Sequence, residues 1–170
     1  MLFRSNTCAA LASGSVQCWG ENTFGQVGNN TLINQLSPVD VVASGGPGPT
    51  TATAVSVGDG FACVRLASAS IQCWGRNADA QLGDGTTTDS KTVVTVLGVT
   101  SATSISTGGS HACVVVTSGL IECWGANAAG QLGKGVADAA DTARAAIELA
   151  GLNSIDAGDS HTCGVRADGR

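Results

Sequence analysis

Seven cysteines and two histidines carry most of the reactive chemistry in this chain, and their spacing narrows what that chemistry can be. Cys8 and Cys18, Cys63 and Cys73, and Cys113 and Cys123 are each ten residues apart, and Cys163 is left over. Zinc is held through short Cys-x-x-Cys or Cys/His pairs, and neither occurs. His111 and His161 stand two residues before a cysteine, a spacing ill suited to a closed tetrahedral site. A spacing of ten instead sets two cysteines face to face across a hairpin with a three-residue loop, Thr117-Ser118-Gly119 in the third pair. Gly119 then sits where a positive φ is needed; Gly14 and Gly169 share its offset, and Ala69 is the exception. The expected chemistry is oxidation, one disulfide within each hairpin, each stabilising by roughly 2–3 kcal/mol in the chain-entropy model. Disulfides persist in oxidising compartments, so the pattern predicts export to the periplasm, cell surface or medium. The alternative is a set of buried free thiols in a cytosolic protein.

Acid–base and metal chemistry find less support. The position of His111 and His161 is Phe61 one repeat earlier and Asn6 before that, and a residue replaceable by Phe is not a catalyst, even with Asp159 close to His161. A structural hydrogen bond is the expected role. Gly83-Asp84-Gly85-Thr86 has the look of a cation or phosphate loop, but Asp84 is Asn29 and Lys134 in the other copies, so turn chemistry accounts for it better. No Gly-x-Ser-x-Gly elbow is present. The sequence therefore predicts no catalytic residue, no metal and no cofactor.

The elements that position these residues follow from repetition. Cys-Trp-Gly opens three related stretches, from Cys18 to Gly28, Cys73 to Gly83 and Cys123 to Gly133, starting 55 and then 50 residues apart. Four short strands fit in each period, best seen at Ala62–Leu66, Ile71–Gly75, Thr92–Leu97 and Ala102–Thr107, with a compact Gly/Asp/Asn/Thr loop from Asn77 to Ser90. That is the size of a propeller blade. The extra five residues of the first period fall at Ser44–Pro49, a turn-forming insertion expected to be an exposed, mobile rim loop. In the third period Val136 to Leu149 is alanine-rich and reads as helix on propensity. Equal spacing to the next cysteine predicts instead a strand near Ala143–Leu149, with Val136–Asp141 as a loop or a single helical turn.

The repeat units are approximately 8–62, 63–112, 113–162 and a truncated 163–170, together filling 6–170. Met1–Ser5 match nothing in the repeat and read as a cloning or sequencing scar. Both ends are expected to be cut, because the partner that Cys163 calls for falls three residues past Arg170. Net charge is −5 with 12% charged residues and no Lys/Arg cluster, which argues against nucleic acid as a partner. No stretch has the roughly 18 apolar residues of a spanning helix, so membrane insertion is not expected.

Gly-x-x-His-x-Cys, a hairpin, then Cys-Trp-Gly-x-Asn-x-x-Gly-Gln-Leu-Gly resembles the repeat of the regulator of chromosome condensation family, in a bacterial-type version with paired cysteines. The resemblance covers the chain from Asn6 onward. It implies an all-β partial propeller of four-stranded antiparallel blades, about three to three and a half of a probable seven. Within that frame Trp19, Trp74 and Trp124 would anchor neighbouring blades. Asn22, Asn77 and Asn127 would hydrogen-bond a neighbouring turn, and Gln26, Gln81 and Gln131 would do so for the Gly-rich loop that follows. The loop glycine of Gly25 and Gly130 is Ala80 in the second copy.

The expected function is that of a non-enzymatic, exported propeller module whose rim loops bind a protein or cell-surface ligand, alongside the remaining blades of a parent chain. A structural or adhesive spacer is the alternative. Nucleotide exchange on a small GTPase fits less well, given the cysteine pairs, the acidic balance and the absence of a long inserted hairpin.

Overall fold

The computed structural model describes residues 6–138, 141–147 and 151–166. Met1–Ser5, Leu149 and Gly169 lie outside the described residues. Strands β1 (Asn6–Ala10), β2 (Val16–Gly20) and β3 (Gln35–Asp40) form a three-stranded antiparallel sheet. A small hairpin, β4 (Val42–Ala43) and β5 (Gly46–Pro47), precedes β6 (Ala52–Val57), β7 (Phe61–Leu66), β8 (Ile71–Gly75) and β9 (Ser90–Thr95). Next come β10 (Ala102–Thr107), β11 (His111–Val116), β12 (Ile121–Gly125) and β13 (Asp141–Ile147), then β14 (Leu152–Ala157) and β15 (Thr162–Arg166). The sheets β6–β9 and β10–β13 are four-stranded antiparallel meanders, and β14–β15 is a pair. The architecture is an all-β partial propeller.

The blade does not coincide with the sequence repeat. The strand before each cysteine hairpin joins the hairpin's own sheet, β6 on β7 and β10 on β11, so a unit such as 63–112 straddles two blades. The inner strands β6, β10 and β14 lie side by side around the axis. Serine hydroxyls tie them together: Ser56 Oγ accepts the Thr107 N–H and Ser106 Oγ accepts that of Ala157, both at 3.0 Å.

The hydrophobic core lies between blades. Val16, Cys18, Val27 and Val41 of the first blade meet Ala62, Val64 and Trp74 of the second. Phe61, Ile71, Leu82 and Val96 of the second meet Ala112, Val114 and Trp124 of the third. Residues alternate along each strand so that both sheet faces are covered, which is why Phe61–Val64 and the whole of His111–Val116 are buried.

Two differences from the sequence reading, and one strand met with shifted bounds, have physical causes. The outer strand of the second blade is Ser90–Thr95 rather than Thr92–Leu97, because Gly75 pairs with Ser90 across a bulge and Leu97 is left exposed. The insertion at Ser44–Pro49 is not a free loop: Val42 pairs with Pro47, and Ala43 pairs parallel with Val93 of the next blade, leaving only the tip at 44–47 exposed. The alanine-rich stretch forms the strand that the spacing predicts, as β13 beginning at Asp141 rather than Ala143, with Cys123 opposite Ala145 and Ile121 opposite Ile147. A sheet edge offered by β12 overrides helix propensity there. Residues 136–138 contain no helical turn.

Candidate binding surface

The first two interblade seams are each built on one tryptophan. Trp74 and Trp124 are fully buried and donate Nε1–H to the carbonyls of Gln26 and Gln81 in the preceding blade, each at 2.9 Å. The indoles rest on Gly28 and Gly83, where a Cβ would lie 2.8 Å from ring atoms, so no larger residue fits. Trp19, at the first blade, is half-exposed.

One asparagine organises each long loop at the rim. Asn22, Asn77 and Asn127 are wholly buried. Their Oδ1 atoms accept the backbone N–H of Val27, Leu82 and Leu132 at 2.9, 2.9 and 3.0 Å. Nδ2 donates to the carbonyls of Thr31 and Ile33 in the first loop and of Thr86 and Thr88 in the second, and to the Val136 carbonyl and Asp138 carboxylate in the third. Loop carbonyls that would otherwise be unpaired beneath the surface are thereby satisfied. Gln26, Gln81 and Gln131 act on the turn before them: Oε1 accepts the N–H of Phe24, Asp79 and Ala129, two residues upstream. The expectation that they cap the following loop is thus corrected, because Oε1 turns back across the tight turn.

The cysteines close Cys8–Cys18, Cys63–Cys73 and Cys113–Cys123, and Cys163 is an exposed thiol. Each bridge spans directly opposed positions of a hairpin. At the turns Gly14 and Gly119 have φ of 83° and 78°, and Ala69 takes the same left-handed conformation at 63°.

His111 is buried, and its Nε2 lies 2.9 Å from Thr162 Oγ1, which in turn donates to the Gln131 carbonyl at 2.9 Å. The threonine has one proton and gives it to the carbonyl, so Nε2 carries the histidine proton and Nδ1 is bare. Nδ1 has no hydrogen-bond partner among the described residues. Burial holds the pKa below 6.5, helped by His161 and opposed by Asp159. His111 is a neutral seam contact between the third blade and β15. Phe61 occupies the same place one blade earlier, and Asn6 Nδ2 reaches the Gln26 carbonyl at 3.3 Å. His161 is exposed.

Asp84 is spent within its own loop, accepting from Thr86 N–H, Thr86 Oγ1 and Asn77 Nδ2 at 3.0, 2.8 and 3.2 Å. Among the described residues no group of three or more His, Cys, Asp or Glu side chains could hold a metal ion. No helix there is long and apolar enough to cross a membrane.

What varies is the loop tip. In the first loop Leu32 and Ile33 are 59% and 70% exposed, where the second presents Thr87 and Thr88 and the third Ala137 and Asp138. Beside them Arg76 crosses a seam, lying over the Phe24 ring at 6.0 Å and pairing with Asp79 at 3.2 Å. Sequence reading missed Arg76 and Phe24, which no repeat position marks. It also gave no role to Ser56 and Ser106, although their recurrence 50 residues apart was a visible signal.

Models of the regulator of chromosome condensation (RCC1) repeat match residues 13–65 and 71–115, and a second model of the same repeat matches 102–131. The chain belongs to the RCC1 repeat family. A relative, the ultraviolet-B receptor UVR8 of Arabidopsis thaliana, is 33% identical over 84 residues, 49% of this chain and 18% of the receptor. The RCC1 fold is shared with human WBSCR16, at 21% identity and a TM-score of 0.80, covering 95% of this chain and 42% of that one. Prp20p of Saccharomyces cerevisiae, characterised with its binding to Gsp1p and histones, matches at 15% identity and a TM-score of 0.78, over 94% of this chain and 41% of its own. The chain thus spans less than half the length of each of these proteins. The Trp, Asn and Gln positions that build the seams and loops lie within the matched residues.

Proposed function

We propose that this RCC1-repeat propeller is a non-enzymatic, exported module that binds a protein or cell-surface ligand through its rim loops. One observation carries the reading: three loops fixed by the same buried asparagine present different side chains on one rim, with Leu32 and Ile33 exposed on the first. A rigid frame with variable tips is how binding scaffolds are built. The three bridged hairpins are compatible with an oxidising compartment. The acidic balance and lack of basic clusters disfavour nucleic acid.

A photo-crosslinking residue at Ile33, compared with one at Ser68 in the exposed β7–β8 turn, at the other end of the strands from the long loops, tests the binding role. A discrete protein adduct from Ile33 alone supports it; equal labelling from both positions, or none, counts against it. Intact mass before and after reduction tests export, since freely alkylated thiols in native protein would remove that part of the reading. A second reading, nucleotide exchange on a small GTPase, rests on fold likeness to Prp20p; accelerated nucleotide release by the purified chain would favour it.

A further inference from the structure

Two of the three long loops share a further device just before their tips. In the first, Asn29 Oδ1 accepts the Thr31 N–H at 3.2 Å, the Thr31 hydroxyl at 2.7 Å and Asn22 Nδ2 at 3.3 Å. In the second, Asp84 Oδ1 accepts the same three donors, from Thr86 and Asn77, at 3.0, 2.8 and 3.2 Å. Asn30 at φ 62° and Gly85 at φ 82° make the same left-handed step between acceptor and threonine. The frame thus requires an oxygen at this position, and the carboxylate of Asp84 supplies it as well as the amide of Asn29. Among the described residues the hydrogen bonds of the Asn29 side chain are all made by Oδ1, so its Nδ2 is spare.

What the asparagine adds is chemistry. In Asn29-Asn30-Thr31 a hydroxyl residue follows two places after an asparagine, and no other asparagine of the chain has Ser or Thr there. That is the acceptor pattern for transfer of a sugar chain to an asparagine amide, and it calls for a surface segment of an exported protein. The segment qualifies, because Asn30, Leu32 and Ile33 are exposed and Asn29 and Thr31 are only partly buried. Asn22, Asn77 and Asn127 are wholly buried and lack the hydroxyl two places on.

We propose that Asn29 is the acceptor of an N-linked glycan. The donor is an oligosaccharide carried on a polyprenyl diphosphate. Nδ2 forms a bond to the anomeric carbon as the bond from that carbon to the diphosphate oxygen breaks; the diphosphate leaves with the electron pair, the amide gives up one proton, and nothing is oxidised or reduced. Oδ1 keeps its three donors throughout, so the loop carries the sugar on an unaltered frame. The glycan then stands on the loop whose apolar tip is Leu32 and Ile33. The inference rests on the exported reading above and does not depend on what the rim loops bind.

The test is intact mass and peptide mapping of the protein recovered from the cells that produce it, with alkylation of the unreduced sample to read the hairpin thiols. The expected result is a glycan on the peptide containing Asn29, released by a peptide N-glycosidase that leaves Asp in its place, in protein whose three hairpins resist alkylation. Asn29→Asp, which copies Asp84, should abolish the glycan and keep the fold. Thr31→Val, which copies Val136, should abolish it too, whereas Thr31→Ser should retain it; if Thr31→Val fails to fold, Asn29→Asp and Thr31→Ser decide. Bridged protein with Asn29 unmodified overturns this inference and leaves export standing. Freely alkylated thiols with no glycan overturn the exported reading and this inference together. A glycan that persists in Asn29→Asp lies elsewhere and overturns the assignment.

Discussion

In the loop at 22–34 the buried amide of Asn22 takes the Val27 N–H and reaches the carbonyls of Thr31 and Ile33. In the loop at 77–89 Asn77 does the same with Leu82, Thr86 and Thr88. The backbone N–H of each asparagine is held by a side chain twelve residues on, Asn34 in one loop and Asp89 in the other. Yet the first loop shows solvent Leu32 and Ile33, and the second Thr87 and Thr88. Frame and tip are separable. Buried amides fix the path of the backbone, and in these two loops the tip side chains take no part in that fixing and are free to differ; in the third, the Asp138 carboxylate is itself bonded to Asn127.

The largest test of this comparison lies in the seams beneath the loops. Trp74→Ala should cost about 3–5 kcal/mol by emptying the seat on Gly28, and Trp124→Ala should cost a similar amount at Gly83. Equal losses by denaturant unfolding would show that both loops stand on equivalent seams. A loss confined to one would break the equivalence.

Next in size are the amides. Asn22→Ala and Asn77→Ala each strand a buried N–H and loop carbonyls, and each should cost about 2–3 kcal/mol. Hydrogen exchange should rise in the affected loop alone, while the other keeps its protection.

The seam at His111 sharpens the comparison through pH. Its pKa is lowered by burial, so below about pH 6.5 the unfolded chain binds a proton that the folded chain refuses. Stability contributed by the neutral ring is therefore complete above that pH and falls as pH drops below it. His111→Phe, which copies Phe61 of the neighbouring blade, should flatten the fall of stability as pH drops below about 6.5. An unchanged slope would mean that this seam does not titrate.

Much of this was legible in the sequence because repetition fixes spacing. Three cysteine pairs at one separation point to hairpins, and Trp-Gly-x-Asn with Gly-Gln-Leu-Gly in register points to blades. Other features were hidden for physical reasons. The pattern of Ala102–Thr107 shows that it is a strand, but not whether it pairs with the hairpin before or after it, and the blade frame turns on that choice. The parallel contact of Ala43 with Val93 depends on two chain segments far apart in sequence. The backward reach of Gln26 is set by a side-chain rotamer, which spacing does not encode. At β13 propensity pointed to helix and equal spacing to the next cysteine pointed to strand, and pairing with the edge of β12 is the physical reason that spacing prevails.

The smallest effect on stability should come from the tips: Leu32→Thr with Ile33→Thr should leave unfolding within about 0.5 kcal/mol of the parent, since these side chains are exposed. The same exchange gives the most direct test of the central claim. Leu and Ile are moved onto positions 87 and 88 in a chain whose first tip carries the two threonines, and crosslinking is read from each loop. The account predicts that the first loop loses its adduct and that recognition of at least the apolar tip reappears at the second. Labelling that stays at the first loop after its apolar tip is gone would contradict it.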